Sequence, residues 1–255
     1  MPANSESMKP IPVDSPASNP WLFAVRCFFD LQLDSIQRPL RTRLATLTEG
    51  NVLDIGAGNS PWRDWLPKHS VYFGLDVKHA EAFNMDVSKE GDITYYDGLS
   101  IPFPDAYFDS ALCIEVLEHA EDPDMMIREI SRVLKTDAVL ILTVPWSARR
   151  HHIPHDYHRF TRERLQRLFE ANHFEIEQIS DRGNDVAVIA NKFIALALRT
   201  IKSIRPGNFF LAIPFSLLLG IASVVMVIAA RISIAMKYES PEDPLGYFCV
   251  VKKSA

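Results

Sequence analysis

Cysteine is scarce in this chain of 255 residues, and its spacing excludes the usual uses of clustered thiols. The three cysteines, Cys27, Cys113 and Cys249, are far apart and form no Cys-x-x-Cys pair. An odd number of separated cysteines provides no disulfide framework. We therefore expect three reduced thiols in a protein of the cytoplasm.

An excess of charge of one sign is also absent. Lys and Arg number 27 against 32 Asp and Glu, which gives a net charge of −5. With 47% hydrophobic and 23% charged residues, the composition is that of a folded globular protein. This net charge creates no field that attracts nucleic acid, so we expect no nucleic-acid partner.

The first 19 residues lack the apolar core of a secretory signal. They are rich in Pro, Ser and Asn and carry a single lysine, Lys9. A signal peptide requires a basic start followed by an apolar run. We therefore expect residues 1–19 to form a disordered leader.

Residues 20–48 predict a helical extension ahead of the main domain. Asn19 supplies a polar cap, and Pro20 suits the first turn of a helix. We expect Pro39 to kink or split this helix, because proline lacks the amide hydrogen that a helix interior uses.

From Asn51 onward, short apolar strands alternate with amphipathic helices. The predicted strands are 52–55, 71–75, 93–96, 110–114, 138–144, 174–179 and 246–251, and helices begin at Asp122 and Thr161. This alternation is typical of a doubly wound α/β sheet with right-handed crossovers. We assign residues 49–184 to this domain, 185–240 to a hydrophobic helical insertion and 241–255 to the last strand of the sheet.

Two glycines, Gly56 and Gly58, follow the first predicted strand. Glycine lets the backbone turn sharply and approach a ligand at the carboxyl end of a strand. Asp76 ends the second strand about 20 residues later, where a carboxylate can accept hydrogen bonds from ribose hydroxyls. Asp97 ends the third strand, where it can accept from an adenine amino group. The sequence therefore predicts a nucleoside-containing cofactor at this edge of the sheet.

The order of these motifs resembles that of the class I S-adenosylmethionine (SAM)-dependent methyltransferases, whose pattern runs LDIGxG, D, D, FD, LEH and P. The resemblance covers residues 51–179 and 246–251. It implies a Rossmann-like sheet of seven strands whose last strand is antiparallel. The implied cofactor contacts are Asp54, Gly56 and Gly58 at the methionine part of SAM, Asp76 at the ribose, Asp97, Gly98 and Leu99 at the adenine, and Glu115.

Two other interpretations of the glycine loop stay open. The methyltransferases often have a third glycine where this chain has Ser60. An NAD-dependent dehydrogenase also places an acid after the second strand, but its Gly-x-Gly-x-x-Gly motif would have Pro61 at the third position here. The two glycines could also be structural parts of an α/β domain that binds no cofactor.

The sequence Glu115-Val116-Leu117-Glu118-His119 follows the fourth strand and holds the first candidate catalytic groups. A helical turn would place Glu115, Glu118 and His119 on one face, and His119 could be the base that a hydroxyl or amine acceptor needs. The cluster resembles one in methyltransferases that act on quinone precursors, where it can hold a divalent cation. The alternative is that Asp122 and Glu118 cap and solvate the next helix, and we assign no metal to the cluster.

The second candidate segment runs from Arg149 to Phe160 and holds four of the eight histidines. It follows the fifth strand, at the edge where ligands bind in such folds, and it resembles part of the acceptor pocket in related methyltransferases. We predict that His155 and Tyr157 line the acceptor site, with Arg149 and Arg150 facing an anionic group. The alternative is a loop whose side chains bond backbone carbonyls.

A long segment, residues 206–230, contains no charged residue. As a helix it is long enough to cross a hydrocarbon core of about 30 Å. A single crossing would separate the last strand from its sheet, and two crossings need about 40 apolar residues. We therefore predict an interface-lying or re-entrant helix within 206–236, broken near Pro214 or Gly220, or else a helix buried in a homodimer.

Together these features predict an enzyme that transfers a methyl group from SAM to an acceptor, with oxygen as the expected acceptor atom. We expect the acceptor to be a lipid-linked, glycan or other small molecule near the membrane. Basic residues flank the apolar segment, which favours the inner face of the membrane. One alternative is a soluble methyltransferase whose apolar helix forms a dimer. The other is a non-catalytic SAM-binding or scaffold protein at the membrane.

Overall fold

The computed structural model of the protein describes residues 9–77 and 93–254. Within these ranges helices flank a seven-stranded sheet, which confirms the predicted α/β fold. The strands are β1 (Asn51–Ile55), β2 (Val71–Val77), β3 (Ile93–Tyr96), β4 (Phe108–Ile114), β5 (Leu134–Pro145), β6 (Phe174–Arg182) and β7 (Gly246–Lys253). The helices are α1 (Pro20–Phe29), α2 (Leu31–Leu44), α3 (Pro123–Val133), α4 (Arg162–Ala171), α5 (Asp185–Lys202) and α6 (Phe209–Ala235).

The strand order in the sheet is β3-β2-β1-β4-β5-β7-β6. Strands β1 to β5 pair in parallel, whereas β7 runs antiparallel to both β5 and β6, as predicted. The order reverses between β1 and β4, and the loops that leave such a point diverge to form a crevice. The glycine loop after β1 lies at this crevice.

Helices cover both faces of the middle of the sheet. On one face, α3 and α4 pack over alternate strand residues that include Leu53 and Leu142. On the other face, α2 packs over Val52 and Ile141. Because both of its faces are covered, β5 is apolar at successive positions instead of alternating ones.

The helical extension is divided at Asp30 and not at Pro39. Asp30 has φ of −91° and ψ of 85°, outside the helical region, and its carboxylate caps α2 by accepting from the Leu33 amide at 3.0 Å. Pro39 lies inside α2 without ending it. The predicted break at proline was wrong because a capping carboxylate earlier in the chain sets the boundary.

Residues 9–18 form no helix or strand, and part of this segment lies against α1. The guanidinium group of Arg26 donates to the carbonyl oxygens of Pro12 at 2.6 Å and Ile11 at 2.8 Å. Residues 1–8 of the predicted leader lie outside the described residues. The segment beside α1 is thus held by two charge-assisted hydrogen bonds.

Helices α5 and α6 form an antiparallel hairpin between β6 and β7. Asn184 caps α5 by accepting from the Ala187 amide at 3.0 Å. Its side-chain amide also donates to Ser233 Oγ at 3.1 Å and to the Tyr238 carbonyl oxygen at 2.9 Å. One asparagine therefore joins the beginning of α5 to the end of α6, and both ends of the hairpin stay beside the sheet.

Helix α6 runs without interruption for 27 residues. The predicted break near Pro214 or Gly220 was therefore wrong. Among the described helices, α6 alone is long and apolar enough to cross a bilayer, with a mean hydropathy of 2.6. Its large apolar side chains point away from the protein: Phe210 and Leu211 are 80% and 81% exposed. The buried stripe consists largely of small residues, namely Ser216, Leu219, Ser223, Val227, Ala230 and Ser233.

Candidate active site

The loop after β1 has the tight backbone that its glycines predict. Gly56 and Gly58 have φ of 66° and 50°, which lie in the left-handed region that favours glycine. A Cβ atom on Gly56 would lie 2.3 Å from Cγ2 of Val116, in the segment that follows β4. A side chain at this position would therefore displace one of the two loops.

Asp76 lies at the carboxyl end of β2 and contacts the glycine loop. One of its oxygens accepts from the Gly58 amide at 3.0 Å, and the other accepts from the Val77 amide at 2.7 Å. Burial raises the pKa of Asp76 above its usual value, and the two hydrogen bonds oppose that rise. Asp76 thus fixes the loop, while its contact with a ribose stays a prediction.

Asp54 is buried near the end of β1, with 3% of its surface exposed. It accepts a hydrogen bond at 2.8 Å from the hydroxyl of Tyr72, and that hydroxyl also lies 2.7 Å from Ser60 Oγ. Burial raises the pKa of Asp54 to about 7, although the bond from Tyr72 opposes the rise. A cationic ligand group beside Asp54 would favour the ionised carboxylate.

Asp97 follows β3 and forms a local turn. Its Oδ1 accepts from the amides of Leu99 at 2.8 Å and Ser100 at 3.1 Å, and Gly98 has φ of 83°. Leu99 is 57% exposed. These residues share the carboxyl edge with the glycine loop, and their contact with an adenine stays a prediction.

A cavity of about 460 Å³ lies at the carboxyl edge beside β1 and β4. Its walls come from the glycine loop, the segments after β4 and β5, the junction of α1 and α2, helix α5 and residues 9–13. The polar residues that line it include Asp54, Glu115, His119, Arg149, His151, His152, Arg26 and Lys192. The predicted methionine-binding loop therefore shares one cavity with three histidines.

Glu115 does not share a helical turn with Glu118 and His119, so that prediction was wrong. Glu115 has φ of 55°, and the short 3-10 turn comprises Leu117–His119 alone. Its carboxylate accepts from Arg182 Nη2 at 2.7 Å. Arg182 is 2% exposed, so Glu115 compensates a buried positive charge.

Glu118 is completely buried behind His119 and His151. Its Oε1 lies 3.7 Å from His119 Nε2 and 3.8 Å from His151 Nε2. Neither oxygen accepts a hydrogen bond from another residue in the described ranges. Burial, reinforced by the charge of Glu115, raises the pKa of Glu118 well above its usual value. The ligand atoms of Glu118, His119 and His151 lie within 4.8 Å of one another, so this trio could hold a metal ion.

His119 has its two ring nitrogens in different surroundings. Nδ1 lies 2.5 Å from the carbonyl oxygen of His155 and is the nitrogen that can donate there. Burial, with the neighbouring His151, lowers the pKa of His119 to about 4. The ring is therefore neutral at physiological pH, and Nε2 carries its lone pair.

His151 and His152 line the cavity, where His155 of the same segment was predicted. The His151 amide donates to Asp156 at 3.0 Å, and Arg159 donates to the same carboxylate at 2.7 Å. Burial opposes ionisation of Asp156, but the bonds from His151 and Arg159 outweigh it and lower the pKa of this carboxyl. Burial, with the nearby His119, lowers the pKa of His152 to about 3.

His155 and Tyr157 do not line the cavity, so the prediction that they do is corrected. The Tyr157 hydroxyl donates to Glu121 at 3.2 Å and lies 3.1 Å from His155 Nδ1, and Tyr157 is 42% exposed. The physical reason is a turn in which the His155 amide donates to the His152 carbonyl oxygen at 2.8 Å. Of the two predicted arginines, Arg149 lines the cavity and Arg150 does not.

Three residues of the site were missed by sequence reasoning. His151 and His152 belong to a segment that was singled out, and their inward direction depends on the turn that follows them. Arg182 is separated from Glu115 by 67 positions and carries no local signal. Long-range pairing of this kind is set by the sheet and not by sequence spacing.

Comparison with known proteins finds a family model that matches part of this chain. Residues 53–142 match a family model described as a methyltransferase domain. A SAM-dependent methyltransferase from Mesorhizobium loti has a similar fold, with a TM-score of 0.52 and 14% identity over 86% of this chain and 98% of that one. Residues 53–142 are therefore similar to a methyltransferase domain, for which SAM is the expected cofactor.

Individual relatives match part of the chain. The O-methyltransferase resE of Aspergillus sclerotiorum is 26% identical over 122 residues, which are 44% of this chain and 46% of that protein. The 27-O-demethylrifamycin SV methyltransferase of Amycolatopsis mediterranei is 30% identical over 100 residues, or 36% and 37% of the two chains. The chain thus spans less than half the length of these curated relatives.

One solved structure matches nearly the whole chain in fold. The [4+2]-cyclase SpnF superimposes with a TM-score of 0.52 and 19% identity, over 97% of this chain and 100% of that one. At this identity the likeness concerns the fold alone. Because that protein is described as a cyclase, the fold by itself does not define the reaction.

Proposed function

We propose that this protein is a cytoplasmic SAM-dependent methyltransferase that acts at the inner face of a membrane. Its acceptor is an oxygen atom on a lipid-linked, glycan or other small molecule. The observation that carries the proposal is the cavity in which the glycine loop, anchored by Asp76, lies opposite His119, His151 and His152. Two matched relatives whose names denote O-methyl transfer support oxygen as the acceptor atom.

The chain offers a fitting set of contacts for SAM. The absence of a side chain at Gly56 lets the glycine loop pack against Val116, and the buried carboxylate of Asp54 suits a cationic amino group. Asp76 would hold the ribose, with Asp97, Gly98 and Leu99 toward the adenine and Glu115 beside the methionine part. SAM, when bound, supplies a methyl group activated by a positively charged sulfur.

His119 is the group that would take the proton from an acceptor hydroxyl. Its pKa of about 4 keeps it neutral at physiological pH, and the contact of Nδ1 with His155 orients the ring. A positioned base contributes about 10²–10⁴-fold to a reaction that requires proton removal, and the lowered pKa of His119 places its contribution at the low end of this range. Positioning of the acceptor in the cavity supplies the remainder.

Helix α6 supports the membrane part of the proposal. Only 22% of its most apolar window is buried against the protein. The basic residues Arg199, Lys202 and Arg205 precede it, and cations near the ends of apolar segments favour the cytoplasmic side. The helix therefore lies in the membrane interface with both of its ends on the side of the sheet.

The activity is tested by incubating the full-length chain with SAM labelled in its methyl group and a detergent-free membrane extract. We expect label in the organic-solvent phase with the wild type and none with Asp76→Ala, which loses the carboxylate that anchors the glycine loop. Calorimetry with SAM accompanies the assay. Tight SAM binding without label in lipid, glycan or aqueous extracts would contradict the proposed activity and favour a non-catalytic SAM-binding protein.

Membrane contact is tested by flotation of the full-length chain with vesicles. Leu211, Leu217 and Leu218 are 81%, 65% and 62% exposed, so their joint replacement by serine should abolish flotation. Replacement of the same three residues by methionine keeps the apolar surface and is the matched control. If the wild type stays wholly in the soluble fraction, the membrane assignment is wrong.

A further inference from the structure

Helix α1 has two sides with different surroundings. On its inner side Phe23 packs against Trp65 with ring centroids 6.3 Å apart, Cys27 is buried, and Arg26 lines the cavity. On its outer side Trp21 is 71% exposed. The further exposed apolar residues of this helix are Leu22 at 54%, Phe29 at 48%, Phe28 at 45% and Val25 at 38%. One helix thus forms a wall of the cavity and an uncovered apolar surface.

Arg231 fixes this surface beside helix α6. Its Nη2 donates to the Phe28 carbonyl oxygen at 2.7 Å, and its guanidinium carbon lies 5.3 Å from the centre of the Phe28 ring. It also contacts the Cys27 carbonyl oxygen and the carboxylate of Asp34. The exposed Phe28 of α1 therefore lies beside the carboxyl-terminal part of α6, held there by Arg231.

The cavity lies between two helices whose outward sides are apolar. Helix α5 contributes Asn191, Lys192 and Ala195 to the wall opposite α1. Its outward residues Leu196 and Ile201 are 40% and 52% exposed. Both helices that contribute to the cavity wall therefore also carry exposed apolar residues.

We propose that α1 inserts into the membrane together with α6, and that the methyl acceptor is an amphiphile that enters the cavity directly from the bilayer. The inference rests on the proposed function, because it names the partner surface and substrate class of that same site. Helix α1 carries one charge, Arg26, and this side chain faces the cavity and leaves the outer side uncharged. Exposed tryptophan and phenylalanine on an uncharged helix side are typical of membrane interfaces.

A bilayer fits this surface better than a second copy of the chain. The cations Arg199, Lys202 and Arg205 lie at the tip of the hairpin, beside the exposed start of α6. Cations at this place complement the anionic headgroups of a bilayer. The apolar part of the acceptor remains in the bilayer while its reactive hydroxyl occupies the cavity.

Fluorescence quenching by brominated lipids tests the position of α1. Trp21 is exposed, whereas Trp62 is 5% exposed and Trp65 and Trp146 are partly buried. With vesicles of brominated phosphatidylcholine and phosphatidylglycerol, we expect strong quenching in the wild type and loss of most of it in Trp21→Phe. This variant keeps the apolar surface, so its flotation should be unchanged.

The outcomes separate this inference from the proposed function. Flotation without any quenching of Trp21 would overturn the insertion of α1 and leave the contact of α6 intact. Absence of flotation would overturn both. A stable dimer in vesicle-free buffer, with Trp21 shielded from acrylamide, would assign the surface to a second copy of the chain.

The entry of the acceptor is tested with a second pair of variants. Trp21→Ser should lower methyl transfer to the membrane extract about tenfold, because a large apolar side chain no longer enters the bilayer. SAM affinity should be unchanged, since Trp21 does not line the cavity. Val71→Ser, which alters an apolar residue 52% exposed at the start of β2, is the control expected to retain full transfer. Equal transfer by Trp21→Ser and wild type would overturn entry from the bilayer.

Discussion

Strand β5 and helix α6 are both long apolar segments, but the strand is buried in the protein whereas the large apolar side chains of the helix are exposed. Residues 140–145 of β5 are all buried, because β4 and β7 pair with its edges and helices cover its faces. Helix α6 has one protein neighbour along most of its length, α5, and contacts it through small residues. Hydrophobicity is thus a property of each segment, whereas burial depends on how many neighbours the fold supplies.

Polar groups differ between the two regions in the same way. At the carboxyl edge of the sheet, buried Asp54, Asp76 and Glu118 have raised pKa values because they lie under other elements. In α6 the buried polar groups are serines such as Ser223 and Ser233, whose hydroxyls donate to backbone carbonyl oxygens of the helix. The sheet edge buries ionisable groups at the cavity, whereas the buried side of α6 contains only small hydroxyl groups among its polar side chains, and most of its large apolar residues face outward.

The largest expected effect comes from the replacement of one leucine by alanine in each of the two regions. Leu142→Ala in β5 removes a completely buried side chain and should lower the free energy of unfolding by about 2–5 kcal/mol. Leu217→Ala in α6, 65% exposed, should change it by less than about 0.5 kcal/mol. Urea unfolding measures both values. Equal destabilisation would show that α6 is covered by protein in solution.

A second prediction concerns the base at the sheet edge. His119→Ala should lower kcat about 100-fold or more without loss of SAM binding. His155→Ala, which alters a residue outside the cavity, should have a much smaller effect. Because the pKa of His119 is lowered to about 4, its neutral form is present above that value and is lost as the pH falls through it. The rate should therefore show no fall from His119 between pH 8 and 6, and a titration near 6.5 would contradict the assignment.

A third prediction compares two glycines. Gly56→Ala should weaken SAM binding at least about tenfold, because φ is 66° and the new Cβ would meet Val116. Gly220→Ala in α6 has open space around it and should leave SAM affinity unchanged while stabilising the helix by up to about 1 kcal/mol. Calorimetry with SAM and thermal unfolding give the two readouts. Unchanged SAM affinity in Gly56→Ala would exclude the loop as the binding site.

The smallest expected effect is a pH dependence at Asp54. Its pKa is raised to about 7 in the folded protein, so its contribution to stability is present at low pH and is lost as the pH rises through 7. If a cationic group of SAM lies beside it, SAM affinity should rise over the same range, by at most about tenfold per pH unit. Asp54→Asn should abolish this dependence. A dependence that persists in the variant would assign it to another group.

Much of the fold follows from local sequence signals. The apolar runs predicted the seven strands, and Asn19, Asp122 and Thr161 were identified as helix starts from their capping chemistry. Gly56 and Gly58 were recognised as a tight turn because few other residues adopt positive φ. Signals of this kind act within a few residues, so the sequence alone is sufficient to locate them.

The direction of side chains at the site depended on tertiary structure. Glu115 was predicted to share a helical turn with Glu118, but it pairs with Arg182 of β6. The side chain of His151 lies next to Glu118. The turn between His152 and His155 places His151 and His152 in the cavity and leaves His155 and Tyr157 outside it. Sequence spacing does not reveal these directions.

By itself, the sequence determined the strands, the glycine loop and the uncharged length of α6. The tertiary structure decided which of these groups meet and which side of α6 remains uncovered. The physical reason is that helix caps and glycine turns are satisfied by neighbours in the chain. Buried charges and apolar surfaces are satisfied by neighbours in space.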